Sequence, residues 1–223
     1  IFAGEPPPTG VDGFSLEIAR GEVVGLVGES GSGKSTVARV VSRVAPAASG
    51  RVVLDGVEVT NAQGAALRSL RRTVQLVSQD PRASLNPRMT VGGAIEEAAL
   101  AAGLDRAAAR RRAEELFALV QLPAVAIGNY PHQFSGGQLQ RVAIARALAA
   151  GPRLLLLDEV TASLDVSVQA TILNLLREIR EELGLTFLFI SHDLAVIRYL
   201  SRRVYVMKRG RIVESGPVDA IFA

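Results

Sequence analysis

A glycine-rich stretch near the start of the chain has the residue types that bind phosphate. The stretch "GESGSGKST", residues 28–36, fits the pattern G-x-x-x-x-G-K-[ST]. In that pattern backbone N–H groups curve around phosphate oxygens, the lysine reaches the terminal phosphates, and the next hydroxyl is a ligand for Mg²⁺. The alternative interpretation is a Gly/Ser turn that binds nothing. The residues expected to hold phosphate are Gly28, Glu29, Ser30, Gly31, Ser32, Gly33, Lys34, Ser35 and Thr36.

Two carboxylates follow an apolar run later in the chain. The sequence "LLLLDE" ends in Asp158 and Glu159. The carboxyl ends of strands line the ligand crevice of open α/β sheets, so we expect both side chains to face that crevice. Asp158 can hold Mg²⁺ through water, and Glu159 can polarise an attacking water. Alone, this pattern equally describes a strand that meets solvent; the phosphate-binding stretch favours the functional interpretation.

Two further polar residues stand at the ends of predicted strands. His192 follows "TFLFIS", and Gln79 ends "TVQLVSQ". A capping or solvent-facing histidine and a loop-forming glutamine are the ordinary alternatives. Both residues lie where the sheet edge carrying the phosphate loop and the carboxylates is expected.

The stretch "FSGGQLQR", residues 134–141, predicts a second anion-binding helix start. Ser135 can cap a helix, and the free N–H groups of Gly136 and Gly137 can face an anion. An N-cap without a ligand remains the alternative.

The elements that position these residues alternate between strands and helices. An apolar run at 23–27 precedes the phosphate loop, and Val37, Val40, Val41 and Val44 after it have helical spacing. Buried strands are also expected at 73–79, 153–159 and 186–193, with hairpins at 50–60 and 203–215. The pattern predicts an α/β fold with a mainly parallel sheet and antiparallel additions. We expect one domain, residues 1–223, with a core at about 1–79 and 151–223 and a helical subdomain at about 80–150, in which Asp105 caps a helix of roughly 15 residues.

Composition narrows the function classes. No apolar run approaches the roughly 18 residues that a membrane span needs, and there is no cysteine. The net charge is +3, but the densest cations, in 106–115, alternate with alanine like the solvated face of a helix. Aromatic residues make up 4% of the chain and tryptophan is absent, which disfavours base stacking on single strands. We therefore expect no nucleic-acid partner.

Taken together and in this order, these motifs resemble the nucleotide-binding domain of ABC ATPases, which have a P-loop NTPase core. The resemblance covers essentially the whole chain and includes "SLD" at 163–165 and "SHD" at 191–193. It implies that ATP and Mg²⁺ bind between two such domains arranged head to tail, as a homodimer or heterodimer. The residues implied to contact the partner's ATP are Ser135, Gly136, Gly137, Gln138 and Asp165.

The resemblance also implies roles for the first group of residues. Glu159, His192 and Gln79 are implied as catalytic, with His192 contacting the γ-phosphate. Ser35, Gln79 and Asp158 are implied as the residues that hold Mg²⁺. An aromatic residue usually stacks on adenine just before the first strands; here "PPPTGVDG" has none, and Phe2 is the one candidate nearby. Val160 stands where proline is common.

Within that family, "SQDPRASLNPRMTVG" and "SLDVSVQATILNLL" resemble the ATPases of dipeptide, oligopeptide and nickel importers. This implies transmembrane permease subunits as partners, a solute-binding protein indirectly, and a place on the cytoplasmic face of the membrane. In that group the chain usually continues after a segment like "GPVDAIFA", and this chain begins without Met, so we expect it to be cut at both ends. Alternatives are a soluble ABC ATPase acting on nucleic acid or ribosomes, and a non-hydrolysing regulatory domain. Leu85 and Met89 either dock the permease or pack inside the subdomain.

Overall fold

The computed structural model describes residues 10–223, and their main feature is a six-stranded sheet. Its strand order is β4-β5-β6-β1-β7-β8, and all neighbours are parallel except the β7–β8 hairpin. A separate antiparallel pair, β2–β3, forms a small hairpin. The strands are β1 (Val23–Gly28), β2 (Val53–Leu54), β3 (Val57–Glu58), β4 (Val74–Val77), β5 (Leu154–Asp158), β6 (Thr186–Ile190), β7 (Arg203–Lys208) and β8 (Arg211–Pro217).

Helices cover the sheet and fill the segment between β4 and β5. Short 3₁₀ turns at 124–128 and 131–133 precede the sixth helix. The helices are α1 (Lys34–Val41), α2 (Gly64–Thr73), α3 (Pro81–Ser84), α4 (Val91–Ala101), α5 (Arg106–Leu119), α6 (Gly136–Leu148), α7 (Val166–Leu183), α8 (Leu194–Leu200) and α9 (Val218–Ile221). None of the helices in this part of the chain is both long and apolar enough to cross a membrane.

The central strands are continuously apolar because both faces of the sheet are covered. β5 is buried at all five positions, and β1 and β6 expose almost nothing. One apolar cluster lies on the face that includes Phe187 and Phe189, and a second on the face that includes Leu26 and Leu156. Strands buried on both sides are the signature of parallel α/β sheets, and the predicted fold class is confirmed.

Most predicted elements are present; α2, α8 and α9 were not predicted, and α1 ends earlier than expected. α2 was not predicted, because only Leu70 of this arginine-rich helix is buried. Val44 was predicted on the helix after the phosphate loop, but α1 ends at Val41 and Val44 is 68% exposed. Arg43 has a left-handed backbone, φ 57°, which ends the helix before Val44.

The helical segment from α3 to α6 packs onto the sheet rather than standing apart from it. Leu116 of α5, Leu139 of α6 and Leu155 of β5 belong to one buried cluster. Asp105 caps α5 as predicted, accepting a hydrogen bond from the Ala108 N–H at 2.8 Å. The division into a core and a subdomain at residues 80 and 150 stays a prediction.

Candidate functional site

The predicted crevice lies at one edge of the sheet, where four parallel strands end. β1 ends at Gly28, β5 at Asp158 and β6 at Ile190, in adjacent register, and β4 ends beside β5. Because parallel strands all end at the same edge, the loops that follow them meet there. The sheet order therefore gathers residues that are far apart in the sequence.

The phosphate-binding stretch forms a loop between β1 and α1. Gly33 has φ 106° and stands at the N-cap of α1, so the helix N–H groups open into the loop. At Gly28 a side chain would collide with the Met207 carbonyl, and at Gly33 it would press on the Met207 methyl group. The N–H of Gly210, in the β7–β8 turn, donates to the Ser32 carbonyl at 2.9 Å. The closing hairpin thus supports the loop from behind, a role that no local sequence pattern indicates.

Lys34 lies buried beneath this loop. Its Nζ donates to the carbonyl oxygens of Gly28 at 2.8 Å and Glu29 at 2.9 Å, and the residue is 5% exposed. Burial lowers the pKa of the Lys34 ammonium, and the nearby carboxylates of Glu159 and Asp158 oppose that shift. The lysine and both carboxylates are therefore close enough to interact electrostatically, as the sequence predicted.

Ser35 and Asp158 meet directly. The Ser35 hydroxyl donates to Asp158 Oδ1 at 3.0 Å, although 123 residues separate them. Asp158 is 8% exposed, and burial raises the pKa of its carboxyl; the Ser35 hydrogen bond is the largest opposing effect. Arg39 on α1 also opposes the shift, and sequence reasoning missed it because nothing local links it to β5. A hydroxyl and a carboxylate this close form a suitable donor set for Mg²⁺.

Glu159 and His192 form the next pair along the same edge. His192 Nδ1 lies 3.3 Å from Glu159 Oε1; the histidine side chain is 58% exposed and that of Glu159 19%. Glu159 has φ 50°, an uncommon backbone for a residue that is not glycine, and its N–H donates to the Ile190 carbonyl at 3.0 Å. The strained backbone and the β6 contact fix where this carboxylate lies.

Gln79 lies near the same edge, and among residues 10–223 no hydrogen bond joins its side chain to another predicted site residue. It is exposed, two residues beyond the end of β4, at the sheet edge next to β5. Asp80, the following residue, caps α3 by accepting from the N–H of Arg82 at 2.8 Å. The structure therefore puts Gln79 in reach of solvent rather than inside the carboxylate cluster.

The second predicted group stands at the starts of α6 and α7. Ser135 Oγ accepts from the Gln138 N–H at 3.3 Å, and Gln138 Oε1 accepts from the Ser135 N–H at 2.9 Å, which completes a capping box. Asp165 caps α7 by accepting from the Val168 N–H at 2.9 Å, a bond that lowers the pKa of its carboxyl. Within residues 10–223, no hydrogen bond joins this group to Lys34 or Asp158.

The two adjacent glycines of this group differ in what surrounds them. A side chain at Gly137 would collide with the Val168 side chain of α7, whereas one at Gly136 would only touch Leu164, at 3.7 Å. Gly137 is buried and Gly136 is exposed. Gly137 therefore lets α6 approach α7, and Gly136 is the residue open to a ligand; the sequence alone treated the two alike.

An aromatic residue that could stack on a base is not found among the described residues near the phosphate loop. Phe2, the candidate from the sequence, lies outside the described residues. Phe14 is half-buried and packs against the apolar cluster that includes Leu26. Val160, where proline was expected, is 1% exposed and belongs to the core.

Comparison with known proteins identifies clear relatives. A family described as ABC transporter matches residues 11–162. A protein of Brucella abortus (strain 2308), provisionally assigned as a peptide import ATP-binding protein, is 53% identical over 96% of this chain and 64% of its own length. A Brucella ovis protein with the same provisional assignment is 47% identical over 96% of this chain and 68% of its own. The chain thus spans less than two thirds of the first of these relatives.

Solved structures agree with the sequence relatives. CbiO1 from Clostridium perfringens, described as part of the ABC transporter complex cbiONQ, superposes with a TM-score of 0.86 at 31% identity, over 95% of this chain and 83% of that one. The dimeric ATP-binding cassette MJ0796, bound to ADP and Pi, superposes with a TM-score of 0.79 at 32% identity, over 91% of this chain and 88% of that one.

Proposed function

Because the chain belongs to the ABC transporter family, we propose that it binds and hydrolyses ATP with Mg²⁺ as half of a head-to-tail dimer that powers peptide import. The observation that carries the proposal is the convergence of three loops at one sheet edge. Three strands, β1, β5 and β6, end at this edge, and the site residues lie at or just after their ends. Ser35 hydrogen-bonds Asp158, and His192 lies 3.3 Å from Glu159. Lys34 lies near both carboxylates.

The residues present fit Mg²⁺ and the phosphates of ATP. Because Gly28 and Gly33 have no side chains, the loop can lie close against Met207 of the β7–β8 hairpin, with the N–H groups at the start of α1 open to a phosphate. Ser35 Oγ and Asp158 Oδ1, 3.0 Å apart, are the oxygens that would hold the metal, directly or through water. When bound there, Mg²⁺ would supply positive charge that offsets the negative charge developing on the phosphates.

Each remaining side chain has a role in positioning or charge stabilisation. Lys34 releases its two loop carbonyls to reach the terminal phosphates. Glu159, whose backbone is fixed, orients the attacking water. His192, whose Nδ1 lies 3.3 Å from Glu159 Oε1, contacts the γ-phosphate. Gln79 approaches the metal and the water from the β4 side. Phosphoryl transfer needs mainly such positioning and electrostatic stabilisation, which these residues supply.

The partner's nucleotide would be gripped by the starts of α6 and α7. Gly136 is exposed at a capped helix start, and Asp165 is exposed beside it, so both are available to a second chain. The interaction proposed here has Ser135, Gly136 and Gln138 facing the partner's phosphates. Gly137 contributes by holding α6 against α7. The dimeric state of the MJ0796 cassette supports this arrangement.

The transport role rests on the relatives assigned provisionally to peptide import. In this proposal the chain lies on the cytoplasmic face of the membrane against permease subunits, and a solute-binding protein delivers the peptide. Leu85, a candidate for permease docking, is 5% exposed and belongs to the core cluster, which favours its packing role. Met89 is half-buried against the same cluster.

The proposal is tested by measuring peptide uptake and ATP use together. Cells that lack the natural protein are supplied with it as wild type, as Glu159→Gln, or as Glu182→Gln, which changes an exposed carboxylate at the far end of α7. We expect wild type and Glu182→Gln to restore uptake of a labelled oligopeptide and Glu159→Gln to fail. Equal uptake with and without the protein would overturn the import role, and purified protein that releases no phosphate from Mg²⁺-ATP would overturn the hydrolysis.

A further inference from the structure

The one-turn helix α3 follows Gln79 directly and is held at both ends. At its start, Asp80 Oδ1 accepts from the N–H groups of Arg82 at 2.8 Å and Ala83 at 3.3 Å. At its end, Arg146 of α6 donates from Nη1 to the Ser84 carbonyl at 3.1 Å. A cation on a carbonyl at a helix C-terminus is a favourable contact, and this one joins residues 62 positions apart.

The contact with Arg146 matters because the packing beneath α3 is incomplete. A cavity of about 60 Å³ lies between β4, α3 and α6, lined in part by Val77, Ser78, Ser84 and Arg146. That is room for a few water molecules. Where side chains do not interlock, a charged hydrogen bond to the backbone has more influence on the position of the segment. Ser78 lines the cavity and immediately precedes Gln79.

We propose that Arg146 is a positioning residue that sets the place of Gln79 through α3; its effect on catalysis rests on the ATP hydrolysis proposed above. α6 begins at Gly136, in the turn proposed to face the partner's phosphates, and carries Arg146 in its last turn. The helix has 13 residues and is therefore about 20 Å long. Movement of the helix start on dimer closure would be passed through Arg146 to α3 and Gln79.

The effect of the Arg146–Ser84 hydrogen bond on α3, called the tether below, is tested by hydrogen exchange on the chain without nucleotide. Arg146→Met removes the guanidinium and keeps the apolar stem, and Arg146→Lys keeps one charged donor. The matched control is Arg112→Met, because Arg112 also donates to a helix-end carbonyl, that of Leu148, at 3.4 Å. We expect exchange in residues 78–85 to rise about tenfold in Arg146→Met, less in Arg146→Lys, and not in Arg112→Met. Unchanged exchange in Arg146→Met overturns the proposal.

The catalytic consequence is tested by a double-mutant cycle between Arg146 and Gln79. If Arg146 acts through Gln79, Arg146→Met should lower kcat about tenfold with little change in KM, and should have almost no further effect once Gln79 is alanine. Arg112→Met should leave kcat near wild type in both backgrounds. A purely structural role predicts losses from Arg146→Met and Gln79→Ala that multiply, which would overturn the positioning role. Absence of turnover in wild type would instead count against the proposed hydrolysis, and the exchange result would still decide the tether.

Discussion

The two polar groups of this molecule are built in opposite ways. Ser35 and Asp158 touch across 123 residues, and Glu159 meets His192 across 33, so the first group is assembled by the sheet. In the second group Ser135 bonds Gln138 and Asp165 bonds Val168, each only three residues away. The first group converges on one point within the chain. The second only caps two helices and leaves their starts open to another molecule.

The charged residues at the centre of the first group are buried, whereas Asp165 of the second group is exposed. Lys34 is 5% exposed and Asp158 is 8% exposed. Burial lowers the pKa of the Lys34 ammonium and raises the pKa of the Asp158 carboxyl, so it favours the neutral form of each. Burying charged groups costs free energy, and strongly perturbed pKa values cluster at functional sites. Asp165 is exposed, and the pKa of its carboxyl is lowered by local hydrogen bonds, as for an ordinary helix cap. The difference agrees with the proposed function, in which the first group carries the chemistry and the second faces a partner chain.

The largest expected effect comes from Glu159→Gln. Removing the carboxylate that orients water should lower turnover about 10²–10⁴-fold, while affinity for ATP changes by less than about threefold. Phosphate release and a titration with a fluorescent ATP analogue measure the two quantities on the same sample. Glu182→Gln should match wild type in both. Turnover within about threefold of wild type would remove Glu159 from the mechanism.

Lys34→Ala should act on binding instead of chemistry. Loss of one charge-assisted contact to phosphate, worth about 1.5–3 kcal/mol, predicts an affinity for ATP lower by about 10–100-fold. Equilibrium titration of the purified chain measures this directly. An unchanged dissociation constant would show that the loop holds no phosphate through this ammonium.

Gly136→Asp should leave the ATP affinity of a single chain unchanged and should act on dimerisation instead. A carboxylate at this exposed position repels the partner's phosphates, so we expect ATP-driven dimers to disappear while ATP affinity of the monomer stays within about twofold. Gly136→Asn has nearly the same size without the charge and should dimerise better than the aspartate variant. Sedimentation in the Glu159→Gln background, where ATP persists, gives the readout. Equal dimerisation of the two variants would argue against a phosphate facing this turn.

Gly137→Ala provides the contrast within the same turn. The added methyl group meets Val168, so we expect a loss of stability of about 1–3 kcal/mol from the displaced packing of α6 on α7. Thermal unfolding measures it. A stability equal to wild type would mean that Val168 moves aside freely, and the distinction between the two glycines would fall.

The smallest effect concerns stability and pH. The pKa of the Asp158 carboxyl is raised on folding, which means that the folded chain binds this proton more tightly than the unfolded chain. The free energy of unfolding therefore falls as pH rises from the unfolded pKa to the folded pKa, and stays lower above it. Asp158→Asn keeps an acceptor for Ser35 and removes the buried charge. Without nucleotide, we expect it to stabilise the chain by about 1 kcal/mol at neutral pH, a Tm rise of about 2–4 °C. The stability difference between Asp158→Asn and wild type should shrink at acidic pH. A variant that is less stable than wild type at pH 7 would contradict this prediction.

Much of the fold and of the first group could be predicted because strong local sequence patterns mark them. β1, β5 and β6 are long apolar runs, and the glycine loop and carboxylates stand directly after two of them. Features that depend on contacts between distant parts of the chain could not be predicted from the sequence. The support of the phosphate loop by Gly210 and the difference between Gly136 and Gly137 both depend on residues far along the chain. α2 was missed because its apolar face has only two leucines, Leu67 and Leu70, in a short helix with three arginines.

In the proposed head-to-tail dimer, each ATP is held by the first group of one chain and the second group of the other. To test this, the Lys34→Ala chain is mixed with the Gly136→Asp chain, both carrying Glu159→Gln so that ATP persists, and ATP retention by sedimenting dimers is measured. A head-to-tail pair of these two chains has one site altered at both Lys34 and Gly136 and one site in which both of these residues are unaltered. We expect that neither variant alone retains ATP in a dimer, and that the mixture retains about one ATP per two chains. A mixture that behaves like the two variants measured separately would contradict it.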